Sequence, residues 1–141
     1  MSGTAARRRL ESRAAESLKQ DGWFTDVTIP SVKIYKGNYV SNRHDFFNVF
    51  DLIALHPDRM PRFIQVTSAG SGVDPGQTIR SHKQKIEDAL PYIDTIRQEI
   101  WVYMKLKNGR WGKPLIFFRT KLYGWEVAEY RWEVAEDDSH R

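Results

Sequence analysis

The chain has no cysteine among its 141 residues. That excludes a disulfide framework, cysteine-ligated zinc, iron–sulfur ligation and a thiol nucleophile. It is neutral about compartment, beyond fitting a reducing one. No apolar run approaches the roughly 18 residues that a membrane span needs. The N-terminal stretch MSGTAARRRLESRAAESL carries arginines but no apolar h-region, so it does not read as a secretory signal. The expectation is a soluble, intracellular protein, cytoplasmic, with no membrane partner. Glycine and serine concentrate in SAGSGVDPGQ, residues 68–77, but no Gly-Lys-Ser/Thr follows, so this is not a phosphate loop. His44 and His56 stand alone, without the spacing of a zinc site.

Basic residues are in excess. Lys plus Arg number 22 against 18 Asp plus Glu, a net charge of +4. The tail from Glu136 to Arg141 carries −2, which leaves +6 on the rest. An excess of this size suits an anionic partner. The length fits one domain over 1–141, with 1–6 and 136–141 flexible. A domain of this length hides roughly 68–70% of its unfolded surface, enough for a substantial core.

Periodicity gives the element order. Leu10, Ala14, Ala15 and Leu18 recur at helical spacing, predicting a helix from about Ala5 to Asp21, with Gly22 as its C-terminal cap. Extended segments follow at Trp23–Ile29 and around Val32–Val40, with a turn at Lys36-Gly37-Asn38. Leu52-Ile53-Ala54-Leu55 is a short apolar run, the pattern of a strand covered on both faces. HPDRMPR reads as a tight turn, and FIQVTS as a second strand pairing back as a hairpin. A helix is predicted from about Thr78 to Ala89, broken at Pro91, with a further helical turn through Tyr92, Ile93 and Ile96. EIWVYMKL alternates as a strand, NGRWGKP is a turn, LIFFRTKL another strand, and WEVAEYRWEV an edge strand. The whole is a mixed α/β or α+β domain with a central mixed β-sheet flanked by helices.

The candidate chemistry rests on Glu11, Asp51 and the segment Gln65-Val66-Thr67. A hairpin brings Asp51 near a residue some fourteen positions later. All three candidates, Glu11, Asp51 and Gln65, offer side-chain oxygens, the donors that Mg²⁺ prefers. A carboxylate beside a buried apolar run is costly to bury unpaired, which points to a functional reason. Plainer readings stand beside this one. Glu11 is spaced to pair with Arg7 or Arg8 on a helix face. Asp51 can cap a turn at a strand start. Gln65 can hydrogen-bond a neighbouring side chain. Lys83 and Lys85 can be a solvated helix face.

The stretches RRRLESRAAESLKQDGW, RHDFFNVFDLIAL and RFIQVTS together resemble the core of the PD-(D/E)XK nuclease superfamily. They are most similar to archaeal-type Holliday junction resolvases and their phage-encoded relatives. In that family a helix carries an acid about eleven positions before its terminal glycine, matched by Glu11 and Gly22. A strand supplies the aspartate of an apolar D-[LI]-[IV]-A motif, matched by Asp51-Leu52-Ile53-Ala54. The next strand carries an acid, a spacer and a lysine, where this chain has Gln65-Val66-Thr67. The likeness covers roughly residues 5–90. It implies a restriction-endonuclease-like core and Mg²⁺ (or Mn²⁺) held by Glu11, Asp51 and Gln65. It also implies action as a homodimer on four-way DNA junctions.

The two departures shape the expectation. Gln65 brings an amide oxygen but no charge, and Thr67 cannot replace a lysine. Lys83 on the next predicted helix is the candidate substitute, with Lys85 and Arg80 beside it. The catalytic set expected on this reading is Glu11, Asp51, Gln65, Thr67 and Lys83. DNA contacts are expected from Arg7, Arg8, Arg9, Arg13, Lys33, Lys36, Arg43, Arg80, Lys83 and Lys85, because such residues neutralise phosphates without sequence preference. The leading expectation is a metal-dependent endonuclease that hydrolyses phosphodiesters in branched DNA. The alternative is a catalytically degenerate DNA-binding module on the same fold. A soluble interaction protein without a nucleic-acid role stands third.

Overall fold

The computed structural model describes residues 3–27, 31–35, 38–42 and 45–128, with side chains described for 6–27 and 45–128. Helix α1 spans Gly3–Gln20 and buries Leu10, Ala14 and Leu18, the stripe expected from the sequence. Its end is a Schellman motif: the Trp23 N–H donates to the Leu18 carbonyl and the Gly22 N–H to the Lys19 carbonyl. Gly22 takes φ +90°, a left-handed conformation that favours glycine.

Strand β1 (Phe24–Val27) follows, then β2 (Ser31–Tyr35) and β3 (Asn38–Asn42). β2 and β3 pair antiparallel, Tyr35 opposite Asn38, as their own two-stranded sheet and do not join the central one; Lys36 and Gly37 of the expected turn lie outside the described residues, and Asn38 already belongs to β3. Strand β4 (Leu52–His56) pairs with β5 (Arg59–Ala69) through a two-residue turn, Pro57-Asp58. The expected turn HPDRMPR is therefore mostly strand. The hairpin itself forms, with Leu52 opposite Ile64. β4 is not covered on both faces: Leu52 and Ala54 are buried, while Leu55 is half exposed.

Asp74 caps the short helix α2 (Pro75–Thr78), its side chain accepting the Gly76 N–H, and α3 (Arg80–Ala89) continues from it. Leu90 is extended and ends α3 ahead of Pro91. The expected helical turn through Tyr92, Ile93 and Ile96 is reduced to one hydrogen-bonded turn, the Ile96 N–H donating to the Ile93 carbonyl, with no helix. The sheet closes with β6 (Arg97–Lys105), β7 (Trp111–Arg119) and β8 (Trp125–Ala128). Strand β7 begins at Trp111, inside the stretch expected to be a turn.

The six-stranded order is β1-β4-β5-β6-β7-β8. Every pairing is antiparallel except β5–β6, which is parallel and bridged by α2 and α3. β6 lies inside the sheet with Gln98 through Tyr103 all buried, so its alternation is between two covered faces. Side-chain alternation divides the core. Leu52, Ile64, Val66, Trp101 and Tyr103 pack with α1. Ile100, Val102 and Ala69 pack with Ile79 and Ile86 at α2 and α3. The molecule is a mixed α+β protein with helices on both faces of the sheet. Among the described residues no helix is long and apolar enough to cross a membrane.

Candidate functional site

Three elements meet beside the β4–β5 hairpin. Asp51 immediately precedes β4, and its backbone N–H donates to the Ile64 carbonyl, which sets the residue against β5. Its side chain is fully buried. Oδ2 accepts the Val66 N–H at 2.7 Å and the Gln65 Nε2 amide at 3.2 Å. Oδ1 accepts Arg7 Nη2 at 2.8 Å. Arg7 comes from the first turns of α1. One turn further along, Glu11 places Oε2 3.5 Å from Arg7 Nε, with its side chain almost wholly buried. Asp45 lies on the same guanidinium, 3.8 Å from Nη2. Glu11 thus makes the helix-face pairing its spacing allowed, and Gln65 bonds a neighbouring side chain. The structure also brings Glu11, Asp51 and Gln65 to one place.

Burial is the dominant influence on Asp51 and pushes its carboxyl up to about 7. The Arg7 guanidinium and the Val66 N–H act the other way, while Glu11 and Asp45 add to the rise. The group therefore sits close to half-protonation near neutral pH.

A cleft of about 400 Å³ opens next to this cluster, lined by Arg7, Thr67, Ser68, His82, Lys105 and Trp111 among others. The α3 side chain that lines it is His82, one residue before the expected Lys83, which is half-buried on the same helix. Desolvation holds His82 below its ordinary value, helped by Lys85 and Arg7. Lys105, from the end of β6, reaches the cleft with its ammonium 5.5 Å from the Trp111 ring centre. Neither His82 nor Lys105 stands out in the sequence, since nothing local ties them to Asp51. The alternation of β6 carries the one signal for Lys105.

The remaining candidates are dispersed. Arg8 and Arg9 are exposed on α1. Arg13 donates to the Trp111 carbonyl at 3.1 Å and lies over the Tyr103 ring, so it ties α1 to the far strands. Arg80 and Lys85 are exposed on α3. Lys36 and Arg43 lie outside the described residues, as does the side chain of Lys33 in β2.

The donor set that the family likeness assigns to Mg²⁺ or Mn²⁺ does not fit such an ion as it is arranged. Both Asp51 oxygens accept hydrogen bonds, and Gln65 turns its amide nitrogen, not its oxygen, toward Asp51. Arg7 fills the cationic position between Asp51, Glu11 and Asp45. Among the described residues no group of three or more His, Cys, Asp or Glu side chains is disposed to hold a metal.

A second buried charge lies away from this cleft. Glu99 on β6 accepts Arg62 through Nε at 2.9 and 3.1 Å and Nη2 at 2.7 Å. It also accepts Arg97 Nε at 2.6 Å and Trp101 Nε1 at 2.8 Å. The Arg62 guanidinium lies over both the Trp23 and the Trp101 rings. Burial alone would raise the Glu99 carboxyl, but these donors together hold it below the usual range. Every oxygen is engaged, so the arrangement braces β5 against β6.

Comparison of the chain with protein-family models, curated proteins and solved structures finds no match.

Proposed function

We propose that this chain is a DNA-binding module on a nuclease-like scaffold, engaging phosphates without metal-dependent cutting. The observation that carries the reading is the Arg7–Asp51 contact at 2.8 Å, which puts a guanidinium among the buried carboxylates. Gln65 and Thr67 agree with it, because neither restores the charge or the lysine of the family pattern. A mixed sheet flanked by helices, which the family likeness implies, is compatible with the observed six-stranded sheet between α1 and the α2–α3 crossover. The anionic partner is supported by the exposed Arg8 and Arg9 on α1, by Arg80 and Lys85 on α3, and by Lys105 in a cleft with two hydroxyl side chains. Preference for four-way junctions and a homodimeric state belong to the same proposal and rest on the likeness alone.

Metal-dependent junction resolution is the second reading. It is favoured by the meeting of Glu11, Asp51 and Gln65 from three elements beside one cleft. A gel assay separates the two, using a four-way junction and a matched linear duplex in Mg²⁺, Mn²⁺ or EDTA. Salt-sensitive binding of the junction without cutting in any of these is the expected result. Paired, symmetric nicks that need the metal would overturn it in favour of the second reading. Absence of any salt-dependent binding would overturn both and leave an interaction protein.

A further inference from the structure

The carboxylates of Asp51 and Glu11 are almost wholly buried, yet burying like charges together is strongly unfavourable without a counter-charge. Metal sites of oxygen donors meet that need with a bound divalent cation. Here a side chain meets it. Arg7 reaches Glu11 through Nε and Asp51 through Nη2, two different nitrogens of one rigid planar group, and Asp45 lies on Nη2 as well. We infer that Arg7 is a tethered cation standing in the place of a divalent metal, so that the folded chain does not take one and the Arg7→Gln variant does.

The geometry explains why an arginine suits the position. Glu11 and Arg7 lie four residues apart on one helix, so α1 delivers acid and base together. The guanidinium is covalently attached, so its pairing with the carboxylates is intramolecular and draws on no free ion. A lysine would bring a single ammonium nitrogen, which cannot span the two carboxylates in the same way. The inference does not rest on DNA binding and holds or fails on cation binding alone.

The test is Mn²⁺ titration followed by electron paramagnetic resonance, paired with thermal unfolding, on the full chain, Arg7→Gln, and Arg7→Gln combined with Asp51→Asn. The wild-type chain is expected to show no saturable Mn²⁺ site and no change of Tm. Arg7→Gln is expected to bind one Mn²⁺ at least about tenfold more tightly than wild type, with a rise in Tm on adding the ion. Asp51→Asn should remove that gain. If Arg7→Gln is unfolded alone, Mn²⁺ should restore its folded signal, since the ion then supplies the missing charge. Equal Mn²⁺ affinity in wild type and Arg7→Gln would overturn the inference. So would an Arg7→Gln chain that gains neither binding nor stability from Mn²⁺.

Discussion

Arg7 Nη2 lies 2.8 Å from Oδ1 of Asp51, joining the first turns of α1 to the residue just before β4, across 44 positions of sequence. The contact is an ion pair whose acid is fully buried and whose base stays partly exposed. Its two ends therefore respond differently to solvent. Four expectations grow from this cluster and from the frame around it.

The first concerns pH. Burial lifts Asp51 from its ordinary value to about 7 in the folded chain. A group raised on folding binds more protons in the native state between the two values. Its stabilising contribution is full below the unfolded value of 3.8 and is lost as pH rises through about 7. The stability of wild type relative to Asp51→Asn should therefore fall between pH 4 and pH 8. Urea unfolding of both proteins across that range measures the gap, and a flat gap would contradict the assignment.

The second concerns DNA. Arg8 and Arg9 are exposed on α1, clear of the core stripe. Replacing both with Gln should leave unfolding unchanged and weaken DNA binding about equally across sequences. The slope of log affinity against log salt should shrink by roughly one for each phosphate no longer neutralised. Fluorescence anisotropy at several salt concentrations reads both quantities. An unchanged slope would place the phosphate contacts elsewhere.

Glu99 gives the third expectation. It holds Arg62, Arg97 and Trp101 at once, with no exposure to water. Glu99→Ala strands two cations, one of them buried, and should cost about 3–5 kcal/mol. Chemical denaturation measures it. A loss under about 1 kcal/mol would mean that the arginines reach solvent easily.

Gly22 gives the fourth. A Cβ there would meet only the His56 ring at 3.6 Å, an ordinary contact. Its φ of +90° is the obstacle, so Gly22→Ala should cost about 1–2 kcal/mol through backbone strain. Because Gly22 fixes where α1 stops, the same change should disturb the placing of Arg7 and Glu11, four and three turns upstream. Thermal unfolding of the variant checks the cost.

What could be read from the sequence was what lies close along the chain or repeats with a period. The α1 stripe and its Gly22 cap have a helical period and a terminal glycine. The β4–β5 hairpin has two apolar runs and a short turn, and it was this hairpin that put Asp51 near Gln65. Pro61 drew the turn too long, although strand β5 accommodates it. That β2 and β3 form a sheet of their own was not legible, because strand pattern does not reveal which sheet a strand joins. Arg62 and Glu99 are 37 positions apart, and nothing local links them. Only the parallel pairing of β5 with β6 makes them neighbours. The role of Arg7 was hidden for a related reason. Its spacing announced Glu11, but its reach to Asp51 depends on how α1 lies against the hairpin.

The parallel β5–β6 pairing also has a kinetic consequence. All other neighbours in the main sheet from β4 onward are joined by short turns. These two close only after α2, α3 and the irregular chain to Ile96 have been gathered between them. Closing that long loop costs chain entropy before any contact repays it. The β4–β5 and β6–β7 hairpins can each form early and separately, so the seam between them is expected to form last and to limit the rate. Substitutions along the seam at Val66 or Val102 should slow folding more than equally destabilising ones in either hairpin turn.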